Sequence, residues 1–317
     1  MSESSSYAAA SAAASAEGPA APAIAIVSRD WLWRWGVLAI LAAVDGAWLT
    51  LAGFHVDRVT LADVGRLYGA ILAAGGVFYA VGRRLRNPRV SRLLLSAADF
   101  FLSMIQLLIF FPLAVVLSYL FTSLDLPLQD GVFLRLDALS GFDWTAVAAW
   151  LRGHGLLTEV MAFAYFSLFT QNQIVLFLGS GDRPGDTNGD FIWPAMISAV
   201  LCAAIAGVVP ALGHQGFIGP APIQAIVDVR AGAWTTVDIC ASQGIVTFPS
   251  YHAALAVIFT YAVRRIPWAF SVLAPFNALV ILSTPTVGGH YLVDTIAGCL
   301  LAAASIALTR LIRARLA

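Results

Sequence analysis

Most of the chain after residue 28 consists of long apolar runs separated by short polar segments. A helix needs roughly 20 apolar residues to cross the hydrocarbon core of a bilayer. Eight runs approach that length, near residues 33–53, 66–82, 97–121, 157–178, 191–212, 248–264, 268–287 and 290–309. The pattern predicts an all-α fold, a polytopic transmembrane helical bundle of about eight spans.

The arginines give an independent test of this count, because basic residues concentrate in the short cytoplasmic loops of membrane proteins. Three clusters lie between spans two and three, between spans six and seven, and after span eight: Arg83, Arg84, Arg86, Arg89 and Arg92; Arg264 and Arg265; and Arg310, Arg313 and Arg315. With eight spans all of them fall on one side. This predicts that both termini are cytoplasmic and that loops 122–156 and 213–247 face outward, the first with an interfacial helix.

The overall composition agrees with a lipid environment. Of 317 residues 60% are hydrophobic and 11% charged, against about a quarter charged in soluble domains. The 18 basic residues are all arginine and balance 18 acidic ones, so no basic excess favours nucleic acid as a partner. The absence of lysine and the abundance of alanine favour a bacterial inner membrane. The membrane domain is expected at 29–317, after an Ala/Ser-rich disordered tail at 1–28.

The three cysteines are widely spaced, at Cys202, Cys240 and Cys299. Two of them stand in apolar runs, where cysteine behaves as a small core residue. We therefore expect neither a disulfide framework nor a cysteine metal site.

Two short motifs carry the candidate chemistry. Phe-Pro-Ser-Tyr-His at 248–252 stands at the outer mouth of span six, and His290 and Asp294 stand at the outer mouth of span eight. Pro249 suits the first turn of a helix. The amides of that turn have no partner within the helix, and they favour an anion such as phosphate. His290 and Asp294 are four residues apart, so on a helix the carboxylate can hold the imidazole in one tautomer. This is the geometry of an activated base or nucleophile.

The motifs resemble those of the type 2 phosphatidic acid phosphatase superfamily, Pro-Ser-x-His followed by His-x-x-x-Asp. They are most similar to those of its inositol phosphorylceramide synthase branch, the aureobasidin target. That branch has Phe-Pro-Ser-x-His, then Ser-Thr, matched by Ser283 and Thr284, and His-Tyr-x-Val-Asp, matched at 290–294. The phosphatases generally have Arg where Thr284 stands. The motifs cover about a third of the chain, roughly residues 210–310.

The resemblance implies a membrane lipid phosphatase or phosphotransferase that needs no metal or other cofactor. His290 would attack phosphorus to form a phosphohistidine, Asp294 would orient it, and His252 would protonate the leaving group. Ser250 would help to bind the phosphoryl oxygens. The substrate would be a phosphorylated lipid, handled at the periplasmic face; water or an alcohol would complete the reaction with the same residues.

The family's first motif contains a lysine, which this chain lacks. A guanidinium can bind phosphate through two parallel hydrogen bonds, so Arg230, in the outer loop before span six, is our candidate for that role. Arg135 in the earlier outer loop is the competing candidate.

The remaining alternatives differ in class. A transporter or lipid-binding protein could recognise an anion at the two helix mouths without turnover, although binding alone would not need a His-Asp pair facing a second histidine. His-Glu-x-x-His and Gly-x-Ser-x-Gly patterns are absent, which disfavours a zinc or serine hydrolase. His214 is interpreted as an ordinary loop residue, with a place at the substrate entrance as the alternative. Tyr165 is polar enough to line a headgroup pocket but is equally typical of interhelical hydrogen bonding, and it is left out of the predicted site.

Overall fold

A computed structural model describes residues 29–181, 186–214, 221–237 and 244–316. The tail predicted at 1–28 and Cys240 lie outside these residues, so those two predictions stay open. Within the described part the chain forms twelve helices and two short strands. The prediction of an all-α fold is confirmed.

The elements follow one another with few long connections. They are α1 (Arg29–Ala52), β1 (His55–Val56), α2 (Arg58–Arg84), α3 (Pro88–Thr122), α4 (Asp130–Leu139), α5 (Trp144–Arg152), α6 (Gly155–Phe166), α7 (Leu168–Gly179), α8 (Thr187–Val208), α9 (Ala221–Arg230), β2 (Thr236–Val237), α10 (Tyr251–Ala262), α11 (Pro267–Thr286) and α12 (Leu292–Leu316). The two strands pair in parallel, with His55 opposite Thr236. The sequence pattern did not predict this pair.

Each of the eight predicted spans corresponds to helix. Six helices, α1, α2, α3, α8, α11 and α12, are long and apolar enough to cross a membrane. The fourth predicted span is two helices, α6 and α7, bent by 50° at their junction. The sixth is the 12-residue α10, about 18 Å long at 1.5 Å per residue. The chain is thus an integral membrane protein with a helical bundle.

Helix α8 lies in the middle of the bundle and packs against α3, α7, α10 and α12. Its buried side chains include Phe191, Ile192 and Met196, and Phe191 contacts Phe259 of α10. Small residues let the helices approach closely, as is common in membranes. A Cβ at Gly207 would come within 2.7 Å of the Phe121 side chain on α3.

One end of the bundle is held by ion pairs. Asp190, at the start of α8, pairs with Arg264 at 2.7 Å and with Arg265 at 3.2 Å. Arg313, near the end of α12, pairs with Asp30 at the start of α1 at 3.0 Å. The N-terminal end of α1 and the C-terminal end of α12 therefore lie together, on the side that carries the arginine clusters. The two histidine motifs lie at the opposite end.

Candidate active site

The two histidine motifs meet at one cavity of about 540 Å³. The segment 244–247 with the start of α10 forms one side, and the turn 288–290 before α12 forms another. Much of the remaining wall is apolar and comes from α3, α8 and α9, with Phe111, Val115, Ala199, Ala203, Ile223 and Ile226 among its residues. The cavity therefore joins a polar end, bearing His252 and His290, to a hydrocarbon-like interior.

His290 is fixed through its Nδ1 atom. Nδ1 lies 2.9 Å from the Thr247 carbonyl oxygen and 3.4 Å from Oδ2 of Asp294. A carbonyl only accepts hydrogen bonds, so this contact assigns the proton to Nδ1 and leaves a lone pair on Nε2. Since His290 lines the cavity, its free nitrogen is available to a bound group.

The turn before α12 explains why His290 points into the cavity. The spacing of four predicted His290 and Asp294 on one helix, but α12 begins at Leu292 and His290 precedes it, so this prediction was wrong. Gly289 has a φ of +74°, a conformation that glycine adopts without strain. A Cβ at Gly288 would come within 2.5 Å of the Tyr165 ring. The two glycines form a tight turn between α11 and α12, and this turn places His290 before the first residue of α12.

His252 is the second residue of α10 and faces the same cavity. Its ring stacks on Tyr165 with centroids 4.1 Å apart, and its Nδ1 lies 3.4 Å from the Tyr165 hydroxyl. The rings of His252 and His290 have centroids 6.2 Å apart. At this separation one phosphate group could contact both rings. Tyr165, which the sequence prediction left out of the site, stacks on His252 and lines the cavity.

Ser250 and Arg230, the two predicted phosphate-binding residues, do not share the histidines' place on the cavity wall. Ser250 is fully buried, and its Oγ accepts a hydrogen bond from the Ala253 amide as the N-cap of α10. Pro249 accordingly precedes the cap and is not in the first turn. Arg230 ends α9, pairs with Asp125 at 2.7 Å and donates to the Leu126 carbonyl at 2.9 Å. Neither Ser250 nor Arg230 is among the described residues lining the cavity, and their phosphate-binding roles stay predictions.

Helix α4, in the outer loop, presents two carboxylates to the segments that carry the histidines. Asp130 accepts hydrogen bonds from the Leu212 and Gly213 amides at 2.9 and 3.0 Å and from the Tyr291 hydroxyl at 2.7 Å. Asp137 accepts from the first amides of α12, Leu292 at 3.0 Å and Val293 at 3.3 Å.

An aromatic contact lies between these two carboxylates. Phe133 stacks on Phe248 with centroids 4.7 Å apart and lies 5.6 Å from the Tyr291 ring. Positions 130, 133 and 137 follow helical spacing, so one face of α4 holds all three contacts. The sequence analysis missed this face. Its one signal in the sequence was a pair of aspartates seven residues apart, in a segment whose only other charged residue is Arg135.

His214 is the third histidine on the cavity wall. Its ring stacks on Trp144 with centroids 4.7 Å apart and an interplanar angle of 10°, and it also contacts Tyr291. Its amide donates to the Gly289 carbonyl at 2.6 Å. Burial lowers the pKa of His214, although Asp137 and Asp130 act in the opposite direction. A neutral ring is therefore favoured near pH 7.

The cavity wall carries little charge. Among the described residues that line it, the side chains able to be cationic are the three histidines. Thr284 is fully buried and shares a hydrogen bond of 2.7 Å with Thr295. No group of three or more His, Cys, Asp or Glu side chains among the described residues could hold a metal ion.

Comparison with known proteins adds one finding to this geometry. A family model described as the PAP2 superfamily, that is, type 2 phosphatidic acid phosphatases, matches residues 132–308. The chain belongs to the PAP2 superfamily. The match runs from α4 to α12 and includes both histidine motifs. No curated protein and no solved structure matches the chain.

Membership in the PAP2 superfamily confirms the broader of the two resemblances. The superfamily consists generally of phosphoesterases, so the cavity is a candidate active site for phosphate-ester chemistry. The narrower resemblance, to the inositol phosphorylceramide synthase branch, is taken up below as part of a proposal.

Proposed function

We propose that this PAP2 superfamily member is a membrane lipid phosphotransferase or phosphatase that works through a phosphohistidine on His290. The observation that carries the proposal is the arrangement of the two rings. His290 has its Nδ1 occupied by Thr247 and Asp294, and the His252 ring lies 6.2 Å away on the same cavity. A nucleophile with an oriented ring and a nearby acid-base group is the pairing that covalent catalysis requires.

In the first half-reaction, the Nε2 lone pair of His290 attacks phosphorus and the bond from phosphorus to the leaving oxygen breaks. His252, protonated at this stage, gives its proton to that oxygen, and the lipid alcohol departs. The resulting imidazolium of His290 is stabilised by Asp294 and the Thr247 carbonyl.

In the second half-reaction, the oxygen of water or of an alcohol attacks phosphorus, and His252 takes the proton released. The bond between phosphorus and Nε2 breaks, and His290 returns to its starting form. Water completes a hydrolysis, which releases phosphate from a monoester donor or the phosphorylated headgroup from a diester donor. An alcohol completes a transfer, from the same residues.

The scarcity of positive charge favours the transferase of the inositol phosphorylceramide synthase type. A phosphomonoester carries close to two negative charges near neutral pH, whereas a phosphodiester carries one. Desolvating the second charge is costly without a cation beside it. The chain has no lysine, and Arg230 is already paired with Asp125. A diester donor, such as a phospholipid with a polar headgroup, therefore fits this cavity better than phosphatidic acid.

The apolar wall favours a lipid as the donor. Residues such as Phe111 and Ile226 offer no hydrogen bonds to a soluble substrate, and they suit hydrocarbon chains that reach the polar end from the membrane. We further propose that the protein lies in a bacterial inner membrane, with this cavity at the periplasmic face and both termini in the cytoplasm.

The proposal is tested with purified protein in detergent and phosphorus-labelled lipids. Phosphatidic acid, phosphatidylinositol with ceramide, and polyprenyl diphosphate are supplied separately, and free phosphate and new phospholipid are measured. We expect activity with at least one, with transfer from phosphatidylinositol to ceramide favoured. His290→Ala should abolish turnover.

The matched control is His154→Ala. His154 is exposed, and its ring stacks on Trp150 with centroids 4.2 Å apart, away from the cavity lining. This variant should retain wild-type activity. Turnover that survives His290→Ala, or lipid binding without turnover by the wild type, would refute the catalytic proposal.

A further inference from the structure

Backbone hydrogen bonds and a ring contact hold His214 and the two residues before it in place. The Leu212 and Gly213 amides before it bind the Asp130 carboxylate, and its own amide binds the Gly289 carbonyl. Its ring packs on Trp144. The loop that carries His214 is thus hydrogen-bonded to the turn that carries His290, and both rings lie on the wall of the same cavity.

The Nε2 atom of His214 is buried and has no hydrogen-bond partner among the described residues. Leaving a buried polar atom unpaired costs free energy, of the order of 1–3 kcal/mol. Because the same side chain lines the cavity, a bound molecule can supply the missing partner. Nδ1 of His290 differs from this atom, because its partners, the Thr247 carbonyl and Asp294, come from the protein.

The chemistry of the ring indicates which partner it takes. A neutral imidazole offers one N–H donor and one lone pair, and a hydroxyl group can use either. A phosphoryl oxygen only accepts and gains most from a charged donor. In the proposed reaction His252 and His290 contact the phosphoryl group, so a third ring is free to contact a neutral part of the substrate.

We propose that His214 binds a hydroxyl group of the substrates and thereby sets which headgroup or acceptor the enzyme uses. The hydroxyl belongs either to the headgroup that stays on phosphorus or to the acceptor alcohol. This proposal rests on the proposed function, because it assigns a role within that reaction.

The experiment measures the two half-reactions separately in wild type, His214→Phe and His214→Gln. Formation of labelled phosphohistidine is followed with phosphatidylinositol and with phosphatidylethanol, whose headgroup has the same charge but no hydroxyl. Breakdown of the labelled protein is then followed with water and with ceramide. Phe keeps the ring contact with Trp144 but removes both hydrogen-bonding atoms, whereas Gln keeps a donor and an acceptor.

Two outcomes support the proposal and identify the source of the hydroxyl. If it lies on the headgroup, His214→Phe slows phosphohistidine formation about tenfold with phosphatidylinositol, the effect of one neutral hydrogen bond, and leaves phosphatidylethanol unaffected. If it lies on the acceptor, His214→Phe slows transfer to ceramide but not to water. In both cases His214→Gln restores part of the loss.

Other outcomes overturn it. Equal losses with phosphatidylinositol and phosphatidylethanol would mean that the ring acts only through packing, and unchanged rates in every arm would mean that it has no role. His154→Phe, which alters a histidine stacked on a tryptophan outside the cavity, serves as the control for a general aromatic substitution. If the wild type forms no phosphohistidine, the proposed function itself fails, and this result is recognisable before any variant is compared.

Discussion

At the scale of single residues, the ring of His290 has two acceptors at Nδ1, and they contribute differently. The nearer is the Thr247 carbonyl at 2.9 Å and the farther is Asp294 at 3.4 Å. The carbonyl fixes the tautomer, whereas the carboxylate adds the negative charge that stabilises an imidazolium. Oδ2 of Asp294 also accepts from the Tyr291 amide at 2.8 Å, so the carboxylate holds the turn as well.

The separate roles of Thr247 and Asp294 predict the effect of Asp294→Asn. The tautomer survives because Thr247 remains, but charge stabilisation of the phosphorylated ring is lost. We expect kcat to fall about 100-fold, within the range for acid-base and orienting groups, with little change in KM. Steady-state kinetics beside His290→Ala provide the check. A loss as large as that of His290→Ala would show that the carboxylate does more than orient and stabilise.

For His252 the prediction depends on the leaving group. His252→Ala removes the acid of the first step and the base of the second, so turnover of ordinary lipids should fall about 10³-fold. A lipid analogue with a p-nitrophenol leaving group needs no proton, so phosphohistidine should still form and then accumulate. Acid-labile, base-stable label on the protein measures it. Equal loss of labelling with both substrates would argue against an acid-base role for His252.

At the scale of helices, α4 gives the clearest example of a functional element outside the spans. Its Asp137 binds the first two amides of α12, the helix that follows His290. We predict that Asp137→Leu lowers kcat at least tenfold and leaves KM nearly unchanged, because the turn shifts while the apolar wall stays. Asp137→Asn, which keeps one acceptor oxygen, should retain more activity than Asp137→Leu.

The control for α4 is Asp143→Ala in the neighbouring helix. Asp143 caps α5 by accepting from the Ala146 amide at 3.1 Å, and within the described residues no hydrogen bond joins it to the segments that carry His252 and His290. A general weakening of the outer loop would affect both variants alike. Positioning of His290 predicts a loss with Asp137 alone, at equal thermal stability in detergent.

Helix types and approximate positions followed from hydropathy, because apolar length alone identifies a span. The bend at Ser167 between α6 and α7 did not follow, since no proline or glycine marks the junction. The position of His290 ahead of α12 depends on the positive φ of Gly289, which spacing alone does not reveal. The contacts of Asp130 and Asp137 join segments about 80 or more residues apart, beyond the reach of a local pattern.

At the scale of the whole molecule, the end opposite the cavity is an ionic cluster centred on Asp190. Its side chain is 10% exposed, whereas those of Arg264, Arg265 and Arg313 are 25%, 48% and 29% exposed. These contacts join α8 to α12 and to the segment after α10. We expect Asp190→Asn to destabilise the protein by about 2 kcal/mol, less than a fully buried pair would lose because water partly solvates the arginines.

The measurement is the thermal unfolding midpoint in detergent, together with kcat of the folded fraction. The midpoint should fall and kcat should stay near the wild-type value, since the cluster and the cavity lie at opposite ends. A large fall in kcat at an unchanged midpoint would instead indicate that the two ends are coupled.

The same two-ended arrangement predicts how the protein lies in its membrane. The ion pair between Arg313 and Asp30 brings the ends of α12 and α1 together, and the arginine clusters favour the cytoplasm for that end. Single cysteines are introduced at Leu85, between α2 and α3, and at Ser140, between α4 and α5, after the three natural cysteines are replaced by alanine. In intact cells a membrane-impermeant maleimide should label Ser140→Cys and reach Leu85→Cys only after permeabilisation. The reverse pattern would place the cavity in the cytoplasm, where a donor from the outer leaflet could not reach His290.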